Sequence, residues 1–408
     1  MDINLKTSKL NQKSTVRITG SKSESNRILL LQALYNGLII ENLSNSDDSV
    51  LMQNALISNS STVDIHHAGT AMRFLTAYYA TQPGKTTLLT GSSRMQERPI
   101  KILVDALKTL GANISYLKKE GYPPLKIIGT KLQNNMVEME ANVSSQYISA
   151  LLLIAPSLPD GLKLQLKGKI TSVPYIKMTL ALLDDLGVKT SFDSNSITVK
   201  PFEGKTEKTF TVESDWSSAS YYYSIVALGP IGTQLSLRSY KVNSLQGDSI
   251  LRDIYNHFGV QSEFNGTKLT LKKVEIPSED ILNLDLSNAP DIAQTIAVTC
   301  LGLQMGCNLT GLHTLKIKET DRLVALKHEI KKLGTEVKIT DESFHLTSPM
   351  PLGSNVKIAT YNDHRMAMAF APLALKTDLS IEHADVVSKS YPDFWNDLSA
   401  IGFEINEK

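Results

Sequence analysis

At 408 residues, 42% apolar and 20% charged, the chain exceeds what one hydrophobic core fills, so two domains are expected. A net charge of +1 argues against a protein that coats nucleic acid or an anionic membrane with a basic face. Any anion site must therefore come from locally gathered cations. The opening MDINLKTSKL lacks a charged-then-apolar signal pattern, and no apolar run reaches about 18 residues, so a cytoplasmic protein is expected.

In chain order, a strand is predicted over residues 15–19 and a helix over 25–35, with GSKSESNR (20–27) at the handover. A second strand falls at 86–90, followed by a helix from about Pro99; a third pair falls at 356–359 and 363–375. One pattern recurs throughout: a helix end, a glycine, then a strand, at Gly37, Gly111, Gly187, Gly259, Gly334 and Gly402. The spacings are 74, 76, 72, 75 and 68 residues, which marks a repeated α/β unit. Six such units suggest two domains of three, with a break near residues 213–215. Cys300 and Cys307 lie in the apolar run TIAVTCLGLQMGC and read as buried thiols, supplying neither a disulfide framework nor a zinc site.

The polar clusters lie where strand-like runs pass into helix-like runs. Lys22, Arg27, Arg73, Arg98, Lys318, Arg322, Arg365 and Lys389 all fall there. Helix starts present free N–H groups to an anion, and the planar guanidinium suits carboxylate and phosphate. Any one of these cations could be a solvated surface charge; eight at helix starts in a nearly neutral chain point to an anion site. Ser21 stands where a Walker A loop needs glycine before its lysine, and no GxGxxG follows a strand, so nucleotide and dinucleotide binding lack support. Asp291, Glu319, Asp321, Asp363 and His364 supply acids and bases among the cations, although carboxylates at helix starts also serve as caps. NDHR lacks metal-ligand spacing, so no metal is expected.

Together GSKSESNR, AGTAMR, RMQERP, SSQY, KETDR and YNDHRMAMAF resemble, in order over about residues 15–395, the 5-enolpyruvylshikimate-3-phosphate synthase family. The resemblance implies a two-domain inside-out α/β barrel, each domain of three βαβαββ repeats, spanning 20–213 and 1–19 with 214–408, and an active site in the cleft between them. It implies attack of the 5-hydroxyl of shikimate-3-phosphate on C2 of phosphoenolpyruvate, protonation of C3, then loss of phosphate from a tetrahedral adduct. No cofactor is implied. By the same resemblance Lys22 touches both substrates and is a candidate for proton transfer. Ser23, Arg27, Ser144, Ser145, Gln146, Ser172, Tyr175, Thr314 and Lys318 would hold shikimate-3-phosphate. Gly69, Arg98, Gln146, Arg322, Arg365 and Lys389 would hold phosphoenolpyruvate. Asp291 would take the 5-hydroxyl proton while binding that substrate, Glu319 would serve the methylene carbon, and His364 would sit beside the reacting phosphate.

Two positions depart from the family pattern: His67 stands where many relatives carry Asn, and Thr314 replaces a polar amide. A monomer is expected, closing on its substrates, with Trp216 at the crossover as a reporter; unchanged fluorescence and scattering at saturation would count against closure. The alternatives are the related transferase acting on UDP-N-acetylglucosamine and a catalytically silent anion-binding protein. Lys22–Ser23, where that relative has Lys–Asn, speaks against the first; the set Lys22, Asp291 and Glu319 speaks against the second.

Overall fold

The computed structural model describes every residue except 12, 141–143, 169, 171, 203, 205, 206, 348, 349 and 408. The chain divides into two compact units, Gly20–Val212, and Met1–Thr19 with Glu213–Lys408. Each has its own apolar core.

All six repeated glycines adopt positive φ, from +69° at Gly259 to +113° at Gly402. A side chain would strain that conformation, so the periodic glycine marks where each helix must turn into a strand. The sheets repeat accordingly. Thr62–Asp64 and Thr86–Thr90 pair in parallel; Leu125–Ile128 then pairs antiparallel with Thr86–Thr90, and Asn113–Tyr116 with Leu125–Ile128. Among the described residues four further sheets share this order of one parallel and two antiparallel pairings, and a sixth has two parallel strands, Leu38–Glu41 and Lys208–Thr211. Parallel neighbours need a crossover, which Gly69–Ala80 supplies between Thr62–Asp64 and Thr86–Thr90, and Ala293–Gly302 between Ile281–Asp285 and Gly306–Thr310. The first strand of the chain, Ile3–Leu5, completes a sheet with Leu379–Ile381 and Ile405–Glu407. The carboxyl-terminal unit therefore needs the amino terminus to finish its repeats.

Strands such as Met136–Glu140 and Leu162–Lys167 alternate buried and outward residues, so each sheet has one covered face. The helices Gly69–Ala80 and Ala293–Gly302 are buried at every position. A helix covered on every side must lie inside its unit. Helices therefore form the centre of each unit and sheets its wall, and the functional groups gather at the helix starts. The start of Trp216–Leu228 is itself inside: Trp216 is fully buried and donates its indole N–H to Glu213 at 2.7 Å. Cys300 and Cys307 are both free and fully buried. No helix among the described residues is long and apolar enough to cross a membrane.

Candidate active site

In the unit Gly20–Val212 the first helix runs Lys22–Leu34, three residues earlier than predicted, because the Ser21 hydroxyl accepts from Glu24 N at 3.5 Å and caps it there. Lys22 is thereby the first helical residue. Arg27, one turn on and 2% exposed, donates from Nε to Thr179 Oγ1 at 2.8 Å and from Nη2 to Ser149 Oγ at 2.9 Å. It also reaches the Ser23 and Tyr175 carbonyls. Gln146 Nε2 donates to Thr70 Oγ1 at 3.2 Å. These bonds join early turns of the helices Lys22–Leu34, Ser145–Ile154 and Val173–Asp185, and of Ser145–Ile154 and Gly69–Ala80. The helices therefore present their N-termini at one end, where their dipoles reinforce one another.

Two arginines at that end have no carboxylate ion-pair partner among the described residues. The partners of Arg27 are hydroxyls and carbonyls, and burial pulls its guanidinium down to about 10. No carboxylate of a described residue lies within ion-pair reach of Arg27 or Arg98, and Arg98 Nε is buried without a hydrogen-bond partner among the described residues. A Cβ at Gly69 would strike Arg98 Nη1 and lie 3.0 Å from its Cζ. A side chain here would have to push that guanidinium aside. Lys22 Nζ lies 3.4 Å from Asp48 Oδ2, and His67 Nε2 lies 3.6 Å from Asp48 Oδ1, so His67 shares a carboxylate with Lys22. Ser144 caps Ser145–Ile154, and Ser172, at φ +53°, turns the chain into Val173–Asp185 with Tyr175 in its first turn.

The other unit repeats the plan with the charges paired. Ser220 meets Thr295 at 3.1 Å, so the helices Trp216–Leu228 and Ala293–Gly302 also start at one end. Asp363 caps His364–Phe370, accepting Arg365 N at 2.9 Å. Arg322, the first residue of Arg322–Lys332 and about 2% exposed, binds three carboxylates: Asp363 at 2.6 Å, Asp291 at 2.7 Å and Glu319 at 2.8 Å. Lys318 Nζ lies 3.4 Å and Arg365 Nη2 3.3 Å from Asp291. Burial alone would push Asp291 up, but Arg365, Lys318 and Arg322 outweigh it and hold the carboxyl well below its usual range. Burial, with Arg322 and Arg365 beside it, pulls Lys318 below the ordinary lysine range despite Asp291 and Glu319. Lys389 donates to the Asn362 carbonyl at 2.6 Å, next to the cap, and buried His364 has Nδ1 3.8 Å from Asp363. Thr314 Oγ1 is buried with no hydrogen-bond partner among the described residues.

The sequence matches the family model described as EPSP synthase (3-phosphoshikimate 1-carboxyvinyltransferase) over residues 52–398. The chain belongs to the EPSP synthase family. Relatives called 3-phosphoshikimate 1-carboxyvinyltransferase include one from Bacteroides fragilis, 47% identical with 96% of each chain covered. Another, from Shewanella pealeana, is 37% identical over 95% of this chain and 96% of its own. Among solved structures, EPSP synthase of Acinetobacter baumannii superposes with a TM-score of 0.78 at 18% identity, covering all of both chains. The enolpyruvyl transferase NikO of Streptomyces tendae gives 0.76 at 13% identity, covering 100% and 98%. The fold is the two-domain enolpyruvyl transferase fold.

The sequence-predicted residues thus fall into two groups. Lys22, Ser23, Arg27, Gly69, Arg98, Ser144, Ser145, Gln146, Ser172 and Tyr175 lie at or near helix starts of one unit. Asp291, Thr314, Lys318, Glu319, Arg322, His364, Arg365 and Lys389 belong to the other. Reading the sequence missed Asp48, Ser217 and Asp248. Asp48 sits in DDS, where a first-turn acid is ordinary helix chemistry, and its contact with Lys22 is made only in the fold.

Proposed function

We propose that the protein transfers the enolpyruvyl group of phosphoenolpyruvate to the 5-hydroxyl of shikimate-3-phosphate and releases phosphate, a step of aromatic amino acid biosynthesis. Family membership over nearly the whole chain supports this, and one observation carries it to residues: a carboxylate, Asp291, held ionised by three cations beside a second acid, Glu319. The substrates together bring about six negative charges. Each unit contributes cations to meet that charge, in an enzyme taken to be a monomer of the cytoplasm.

Arg27, lacking an anionic partner, with Ser23, Ser144, Ser145, Ser172, Tyr175, Thr314 and Lys318, is assigned to shikimate-3-phosphate. Arg98, Arg322, Arg365, Lys389 and Gln146, with Gly69 making room, are assigned to phosphoenolpyruvate. Asp291 takes the 5-hydroxyl proton as its oxygen bonds to C2, and Glu319 delivers a proton to C3. In the second step Glu319 recovers a proton from the methyl group as the C2–O bond to phosphate breaks, Lys22 or His364 gives the departing oxygen its proton, and the proton held by Asp291 makes good that loss through solvent.

The test is phosphate release from shikimate-3-phosphate plus phosphoenolpyruvate. Turnover with that pair and none with UDP-N-acetylglucosamine is expected; the reverse, or silence with both, overturns the reading. Gly69→Ala should raise KM for phosphoenolpyruvate by about tenfold or more, because the new methyl displaces Arg98 and costs a charge-assisted hydrogen bond of about 1.5–3 kcal/mol. KM for shikimate-3-phosphate should stay within about twofold, and an unchanged phosphoenolpyruvate KM would remove Arg98 from that role.

A further inference from the structure

Asp248, on the short 3-10 turn Gly247–Ile250, is 2% exposed. Its Oδ2 accepts the Ser217 hydroxyl, while Oδ1 is buried with no hydrogen-bond partner among the described residues. Ser217 accepts from Arg365 Nη2 at 3.3 Å, and the same nitrogen lies 3.3 Å from Asp291 Oδ2. Arg365 Nη1 also donates to the Asp291 carbonyl at 3.2 Å. A chain of contacts thus runs Asp248–Ser217–Arg365–Asp291.

A buried carboxyl with one oxygen unsatisfied opposes folding. The helix start beside it does not need the acid, since Gln246 already accepts Trp216 N at 2.9 Å and Asp215 accepts Ser218 N at 2.8 Å. The charged groups bearing on Asp248 are Asp291, Arg365 and Asp215. Burial, with Asp291 adding and Arg365 opposing, raises it to about 6, and in its ionised form it holds the Ser217 hydroxyl as an acceptor. That leaves the Ser217 oxygen lone pairs for the guanidinium.

We propose that Asp248 is a positioning residue for the transfer reaction: through the Ser217 hydroxyl it fixes the Arg365 guanidinium against Asp291, and so sets the affinity for phosphoenolpyruvate. The inference rests on the function proposed above. It goes further in naming a residue that need touch neither substrate.

A double-mutant cycle tests it. Asp248→Ala and Ser217→Ala should each raise KM for phosphoenolpyruvate about tenfold, with kcat within about threefold and KM for shikimate-3-phosphate within about twofold. The double variant should be no worse than either single one, because both cut the same chain of contacts. Single variants within twofold of the parent, or a double variant multiplied to about a hundredfold, would overturn the proposal. Should Asp248→Ala fold poorly, Asp248→Leu, which keeps the volume and removes the acceptor, takes its place in the cycle with the same criteria. Failure of the parent enzyme to release phosphate would count against the function alone. In that event a crystal structure of Ser217→Ala decides: Arg365 displaced from Asp291 is expected, and an unmoved guanidinium sinks the proposal.

Discussion

Asp291→Ala should lower kcat by about three orders of magnitude, within the 10²–10⁴ range of a lost general base, while the protein stays folded. Folding should survive because Arg322 keeps two carboxylate partners, Asp363 and Glu319, after Asp291 is gone. The interest lies in how Asp291 can act as a base at all. In the free protein three cations hold its carboxyl well below the usual range, which makes it a feeble proton acceptor. Substrate anions placed on Arg365, Lys318 and Arg322 would offset those same cations and let the carboxyl rise toward its ordinary value. Basicity would then be switched on by the ligands whose hydroxyl needs it. Steady-state kcat and circular dichroism on the variant check this, and a folded variant retaining near-normal turnover would strip Asp291 of the role.

How much of this was legible beforehand depends on how far each interaction reaches along the chain. The six glycines were readable because positive φ at a helix end is a local demand of the backbone, and all six adopt it. The first helix starts three residues before the predicted position, because the Ser21 hydroxyl accepts from Glu24 N and caps it there. Clustering of cations at helix starts was visible, but their bookkeeping was not. One unit leaves Arg27 among neutral partners, whereas the other ties Arg322 to three carboxylates from three separate segments. Asp248 was invisible for the same reason. Its partner Ser217 lies 31 positions away, and nothing in QGD announces an arginine two contacts further on.

Arg322→Met should be the most destabilising of these substitutions, by about 3–5 kcal/mol, the range for removing one member of a buried ion pair. The side chain is about 2% exposed and Asp363 beside it is fully buried, so solvent cannot take over the lost charge. Methionine fills similar volume, which keeps the effect electrostatic rather than a matter of packing. The sign with pH follows from the carboxylates. In the parent protein the depressed Asp291 contributes stability that is complete above its unfolded value near 3.8 and is lost as pH falls through the lower folded value. In the variant, Asp291, Glu319 and Asp363 face one another without the guanidinium, and a proton can relieve the repulsion. The deficit relative to the parent should therefore shrink as pH is lowered from 7 toward 5. Urea unfolding at the two pH values measures it. A variant as stable as its parent at pH 7 would mean that Lys318 and Arg365 alone compensate the cluster, and Arg322 would then serve the substrate and not the fold.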